Sequence, residues 1–115
     1  MEISTIHEDE LSIILINGDL DASSSILLDQ AIEEAVCKGR KKILVDCTRL
    51  NYISSAGLGV FMSHLQEFEN KQNSLVLFGL SDKVLNVFQL LGLDQLLTIT
   101  LSEKDAKLTV NDSLL

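Results

Sequence analysis

Short apolar runs that suit β-strands alternate along this chain with longer stretches of helical periodicity, and that alternation restricts the fold more than any other feature. Leu11-Ser12-Ile13-Ile14-Leu15-Ile16-Asn17 is rich in Ile and stops at Gly18. Ile43-Leu44-Val45-Asp46 and Leu75-Val76-Leu77-Phe78 are the next two such runs, each following a helical stretch. Continuous apolar strands of this kind belong in a sheet covered by helices. Glu2 to His7 is expected to pair with the first run as a hairpin, over the charged turn Glu8-Asp9-Glu10.

Between these runs the apolar spacing changes to three and four. A helix is expected over roughly Ser24 to Lys38, with Leu28, Ile32 and Ala35 on one face beside Leu27, Ala31 and Val36, and with Gly39 as its left-handed terminator. Its acids precede Lys38, Arg40, Lys41 and Lys42, so that basic cluster reads as a complement to the helix dipole. A second helix runs from Ser55 to Phe68 on Leu58, Phe61, Met62, Leu65 and Phe68. A third starts from Ser81 as N-cap and carries Val84, Leu85, Phe88 and Leu91 to Gly92. Leu96 to Leu101 reads as a last strand, and Ser102 opens a short terminal helix containing Ala106 and Leu108. The order is ββαβαβαβα. With 115 residues, no proline, no internal repeat and no low-complexity tract, residues 1–115 are expected to form one α/β domain.

Charge and composition remove several classes of function. Nine basic residues against 17 acidic ones, a net charge of -8, repel a phosphate backbone, and 4% aromatics without Trp leave little to stack on bases. Neither nucleic acid nor membrane is therefore an expected partner. Met1-Glu2-Ile3-Ser4 has no basic leader region and no apolar run reaches the roughly 20 residues of a bilayer span, so a soluble, cytoplasmic protein is expected. Cys37 and Cys47 stand ten positions apart without a Cys-x-x-Cys or a nearby His pair, which reads as two free thiols, with no metal site and no cofactor expected.

Templates for catalysis fail individually. In Ser55-Ala56-Gly57-Leu58-Gly59 a nucleophile elbow would need glycine upstream of the serine, where Ile53 stands. Gly57-Leu58-Gly59 lacks the third glycine of a dinucleotide fingerprint, since position 62 is Met, and no Lys-Ser/Thr follows. His7 and His64 are the only imidazoles and read as surface or packing residues, so no catalytic residue is assigned. What remains is Asn51-Tyr52-Ile53-Ser54-Ser55-Ala56-Gly57, a polar turn into a helix N-terminus whose orphan N–H groups favour an anion. Two readings of it stand side by side. A serine there can accept a phosphoryl group, adding about -1.5 to -2 charges against the positive end of the dipole. Equally, Ser54 or Ser55 can be an ordinary N-cap.

Residues 43–59, Ile-Leu-Val-Asp-Cys-Thr-Arg-Leu-Asn-Tyr-Ile-Ser-Ser-Ala-Gly-Leu-Gly, resemble the signature of the STAS domains, named for sulfate transporters and anti-sigma factor antagonists. Gly18-Asp19-Leu20-Asp21 looks like that family's Gly-x-Leu-Asp turn, and Gly92-Leu93 its Gly-Leu after the third helix, so the resemblance spans essentially the whole chain. It implies a mixed sheet of about five strands with four to five helices. A free-standing domain of this size resembles the anti-sigma factor antagonists most. Such proteins are not enzymes. When unmodified they dock onto an anti-sigma factor with serine-kinase activity, freeing a sigma factor for transcription, and phosphorylation of one serine ends the docking until a serine phosphatase restores it.

The family often has Asp-Ser-Ser/Thr-Gly at this helix start. Aligned on Gly57, the resemblance makes Ser55 the phosphoacceptor, puts Ser54 where Asp is usual and makes it a second-choice acceptor, and places Ala56 at the second hydroxyl position. It also implies partner contacts at Asp21, Ser23, Ser24, Ser54, Gly57, Leu58 and Phe61. For Asp21 the competing role is a helix cap, for Ser23 and Ser24 a solvated turn, and for Leu58 and Phe61 core packing. Asp46 is expected near the same loop, orienting it by hydrogen bonds. The alternative function is a constitutive STAS scaffold or transporter-associated subunit without a phosphoswitch.

Overall fold

The computed structural model describes residues 1–112. Five strands, β1 (Glu2–Glu8), β2 (Leu11–Leu20), β3 (Lys42–Ile53), β4 (Ser74–Phe78) and β5 (Thr98–Thr100), form one sheet in the order β1-β2-β3-β4-β5. The β1–β2 hairpin is antiparallel and every later pairing is parallel. The crossovers are α1 (Ala22–Cys37), α2 (Ser55–Asn70) and α3 (Asp82–Leu90) with a 3-10 turn at Leu93–Gln95; α4 (Glu103–Asp112) follows β5. Four α-helices on a five-stranded mixed sheet match the expected α/β architecture.

Strand alternation divides the core between two sides of the sheet. Ile14 and Ile16 of β2, Ile43, Val45 and Cys47 of β3, and Leu75 and Leu77 of β4 join Leu28 and Ile32 of α1, Phe61 and Phe68 of α2, and Val84 and Phe88 of α3 in the larger cluster. Ile13, Leu44, Val76 and Phe78 take the other side, where α4 covers them with Ala106 and Val110. The apolar runs are therefore buried from both sides, as their unbroken hydrophobicity requires.

Strand β3 is three times the length of the apolar run that announces it. Beyond Asp46 its buried residues are Cys47, Leu50 and Ile53, a spacing of three that an ideal pleat with period two cannot keep on one face. The pairing with β2 solves this with register shifts between Leu15 and Asn17 and between Gly18 and Asp19, after which Asp19 pairs with Tyr52 and Leu20 with Ile53. Asn51, Tyr52 and Ile53, expected within the polar turn, are thus strand. Smaller departures have equally local causes. Helix α1 begins at Ala22 because Asp21 caps it, and Leu27, expected inward, is 49% exposed. The last strand is only Thr98–Thr100, with Leu96 and Leu101 exposed at its ends. Lys42, counted with the dipole-complementing basic cluster, is buried in β3 with its Nζ 3.3 Å from Asn111 Oδ1.

Candidate functional site at the paired starts of α1 and α2

Adjacent parallel strands deliver their following helices to the same edge of a sheet, and here β2 and β3 end side by side. The Ser54 N–H donates to the Leu20 carbonyl at 2.9 Å, which stitches the β3–α2 junction to the β2–α1 junction. Two helix N-termini with unsatisfied N–H groups and the positive ends of their dipoles therefore open on one surface.

Each start has a polar cap. Asp21 accepts from the Ser24 N–H at 2.9 Å and from the hydroxyls of Ser24 (2.9 Å) and Ser23 (3.0 Å), while its own N–H donates to Ser24 Oγ at 2.8 Å. That closed box holds the Asp21 carboxyl below the usual carboxylate range, the Ser24 N–H contributing most. In α2 the cap is Ser54, whose Oγ accepts from the Gly57 N–H at 3.2 Å while its carbonyl accepts from the Leu58 N–H at 3.0 Å. Ser55 is the first helical residue and is exposed; its hydroxyl has no hydrogen-bond partner among the described residues. The two hydroxyls thus divide the readings that local sequence leaves open: Ser54 caps, and Ser55 faces water.

The remaining predicted contacts separate by burial. Asp21 and Ser23 are exposed beside the α2 start, and Ser54 is half-buried. Ser24 is buried in the capping box. Gly57 is buried where α2 crosses the sheet so closely that a Cβ on it would lie 2.7 Å from Leu20 Cδ2 and 2.9 Å from Ile53 Cγ1. Leu58 packs in the core, and Phe61 is fully buried with its ring 6.4 Å from that of Phe88. Phe61 accordingly has no surface to offer a partner, and of its two readings packing is the one the burial fits. Asp46 does not orient the loop: it lies in mid-β3 and accepts from the N–H and hydroxyl of Thr48 at 3.0 and 2.7 Å.

Three exposed apolar side chains near this edge escaped sequence reasoning. Ile26 (60% exposed) and Leu27 lie in the second turn of α1, and Tyr52 (50% exposed) stands two residues before Ser54. The signal available was that α1 carries more apolar residues than one helix face can bury. His64 follows Ser55 by nine residues, about 13 Å of helix rise, which leaves it remote from that hydroxyl as a base. Its Nε2 lies instead 2.7 Å from Asp29 Oδ1 of α1. No helix among the described residues is long and apolar enough to cross a membrane.

Comparison with known proteins agrees with this geometry. The family described as "Mlab, STAS domain" matches residues 3–99. An anti-sigma-B factor antagonist of Listeria monocytogenes is 34% identical over 86 residues, covering 75% of each chain. An anti-sigma factor antagonist from Mycobacterium paratuberculosis superposes with a TM-score of 0.87 at 19% identity, over 96% of this chain and 93% of that one. The unphosphorylated anti-sigma factor antagonist SpoIIAA gives 0.81 at 24% identity over 96% and 97%, and the phosphorylated Bacillus SpoIIAA gives 0.72 at 23% over 95% and 99%. By sequence and by fold, the chain belongs to the STAS domain family and is of the anti-sigma factor antagonist type.

Proposed function

We propose that this protein is a phosphorylation-controlled anti-sigma factor antagonist acting in the cytoplasm, which docks on an anti-sigma factor with serine-kinase activity while Ser55 is unmodified. The observation that carries the reading is the exposed, unengaged Ser55 hydroxyl on the first residue of α2, next to a cap that does not need it. The docking surface comprises Asp21, Ser23 and Ser54 with the exposed Ile26, Leu27 and Tyr52; an apolar rim around small hydroxyl residues gives a partner area to bury. Ser24, Gly57, Leu58 and Phe61 act beneath it by fixing the two helix starts. A serine phosphatase resets the site.

The switch is electrostatic. A phosphate on Ser55 adds about -1.5 to -2 charges to a surface that already carries Asp19 and Asp21, while the helix terminus accommodates it without refolding. Burying that charge against a partner without counter-charges costs several kcal/mol, and each 1.4 kcal/mol is tenfold in affinity.

The test is to incubate the protein with ATP and an anti-sigma factor kinase, map the phosphate, and measure binding of variants by calorimetry. Phosphate is expected on Ser55, with Ser55→Ala binding as the unmodified protein does and Ser55→Asp at least about tenfold weaker. Equal affinities for the two variants overturn the electrostatic account. Binding without any phosphate transfer identifies a constitutive scaffold instead.

A further inference from the structure

Away from the Ser55 surface, the α1–α2 interface carries a polar cluster that the proposed switch does not use. Asp29 and Glu33 are one turn apart on α1 and so share a helix face. His64 of α2 meets them, and one donor atom from each of the three lies within 4.8 Å of the others. His64 is only 4% exposed, so its imidazole is fixed by packing, with the Phe68 ring edge-on at 6.1 Å, and its Nε2 points at Asp29 Oδ1. A buried imidazole bonded to one carboxylate with a second close by is a mixed nitrogen–oxygen donor set, distinct from a patch of surface acids.

We propose that Asp29, Glu33 and His64 form a binding site for a divalent transition-metal ion of the zinc class. Donor atoms arranged tetrahedrally around such an ion, bound at about 2.0–2.2 Å, are about 3.3–3.6 Å apart. The 2.7 Å His64–Asp29 contact is a hydrogen bond whose proton the ion replaces, and Glu33, being exposed, has freedom to swing inward and complete three ligands. Neutral imidazole with two carboxylates suits Zn²⁺ and its neighbours better than Ca²⁺ or Mg²⁺, which take all-oxygen shells. A cavity of about 240 Å³ lined by Glu33, Cys37, His64, Glu67 and Lys71 opens beside the cluster, with room for water in the remaining positions. Bound there, the ion ties together the two helices whose N-termini frame the Ser55 surface. Ligands drawn from two helices, with Glu33 and His64 31 positions apart, leave no spacing motif in the sequence.

The experiment is a calorimetric titration of the full, untagged chain with Zn²⁺, repeated with Co²⁺ to record its visible absorption. One equivalent is expected to bind saturably, and Glu33→Gln and Asp29→Asn each to weaken binding about tenfold or more. Because His64 is buried and its replacement can unfold the chain, the exposed Glu33 variant decides. Cys37→Ser, which changes the thiol opening on the same cavity, is expected to retain affinity. Absence of saturable binding overturns the site. So does binding that is unchanged in Glu33→Gln and Asp29→Asn, or that is lost on removing Cys37 alone.

Discussion

Replacing Gly57 by Ala tests the packing that positions the whole candidate surface, and Gly59 two residues later supplies the control. Both are inside α2, where glycine costs about 0.5–1 kcal/mol relative to alanine, so propensity alone predicts that either replacement stabilises. Their surroundings differ. A Cβ at position 59 meets nothing within 4 Å, whereas at position 57 it falls 2.7 Å from Leu20 Cδ2, 2.9 Å from Ile53 Cγ1 and 3.0 Å from Leu20 Cγ. Ordinary contact begins near 3.4 Å, so α2 or its neighbours must yield by about 0.7 Å. Leu20 is fully buried and Ile53 nearly so, which leaves the side chains little room to turn away. Overpacking of this kind costs about 1–3 kcal/mol, which exceeds the propensity gain and leaves Gly57→Ala destabilised by about 1–2 kcal/mol. Urea unfolding followed by circular dichroism reads both changes through the midpoint at constant slope. Opposite signs are expected, Gly59→Ala up and Gly57→Ala down. Two equal stabilisations would refute the claim that α2 is pinned to the ends of β2 and β3 through Gly57.

Asp21→Asn preserves the cap of α1 but cannot titrate, and because the folded Asp21 carboxyl is held below its usual range, the wild type's advantage is present above about pH 4 and fades as pH falls through that lowered value; melting temperatures of the two proteins should converge or cross on acidification, and a constant gap from pH 7 to pH 2 contradicts the cap's charge. Of the two cysteines, Cys37 is exposed, while Cys47 is buried and its thiol pushed up chiefly by that burial and then by the Asp46 carboxylate, so a thiol reagent should modify one group in the folded protein and the second only on unfolding; prompt reaction of both would mean β3 is open where the core closes over it.

Much of this architecture was legible because local signals agreed. Leu58, Phe61, Leu65 and Phe68 keep helical spacing, Ser81 accepts from the Val84 N–H as an N-cap should, and Gly39 takes the left-handed conformation after α1. Signals failed where a pairing partner decides the structure. The second half of β3 has no two-residue alternation, since register shifts against β2 bring Cys47, Leu50 and Ile53 inward, and one strand's sequence does not state its partner's bulges. The same limit hid the site's construction. That Asp21 and Ser54 lie together follows from the pairing of Leu20 with Ile53, and that His64 reaches Asp29 follows from the packing of α1 on α2; both are properties of two elements jointly. For Phe61, amphipathic spacing fits a core face and an interface face equally, and only its burial selects between them.

The neighbouring hydroxyls show how a sequence departure can be absorbed. Ser54 stands where the family often has Asp, which removes a negative charge beside Ser55. Asp and Ser are both strong N-caps, however, and Ser54 Oγ does receive the Gly57 N–H, so the departure changes charge while the helix start keeps its geometry. An ester on Ser54 would load the oxygen that holds the first turn, where loss of a cap costs about 1 kcal/mol. An ester on Ser55 would leave that oxygen alone and set its charge at the end of a dipole that favours it. A mark that alters a partner's affinity without altering the fold is therefore better placed on Ser55, and the serine that replaces Asp serves it by remaining occupied.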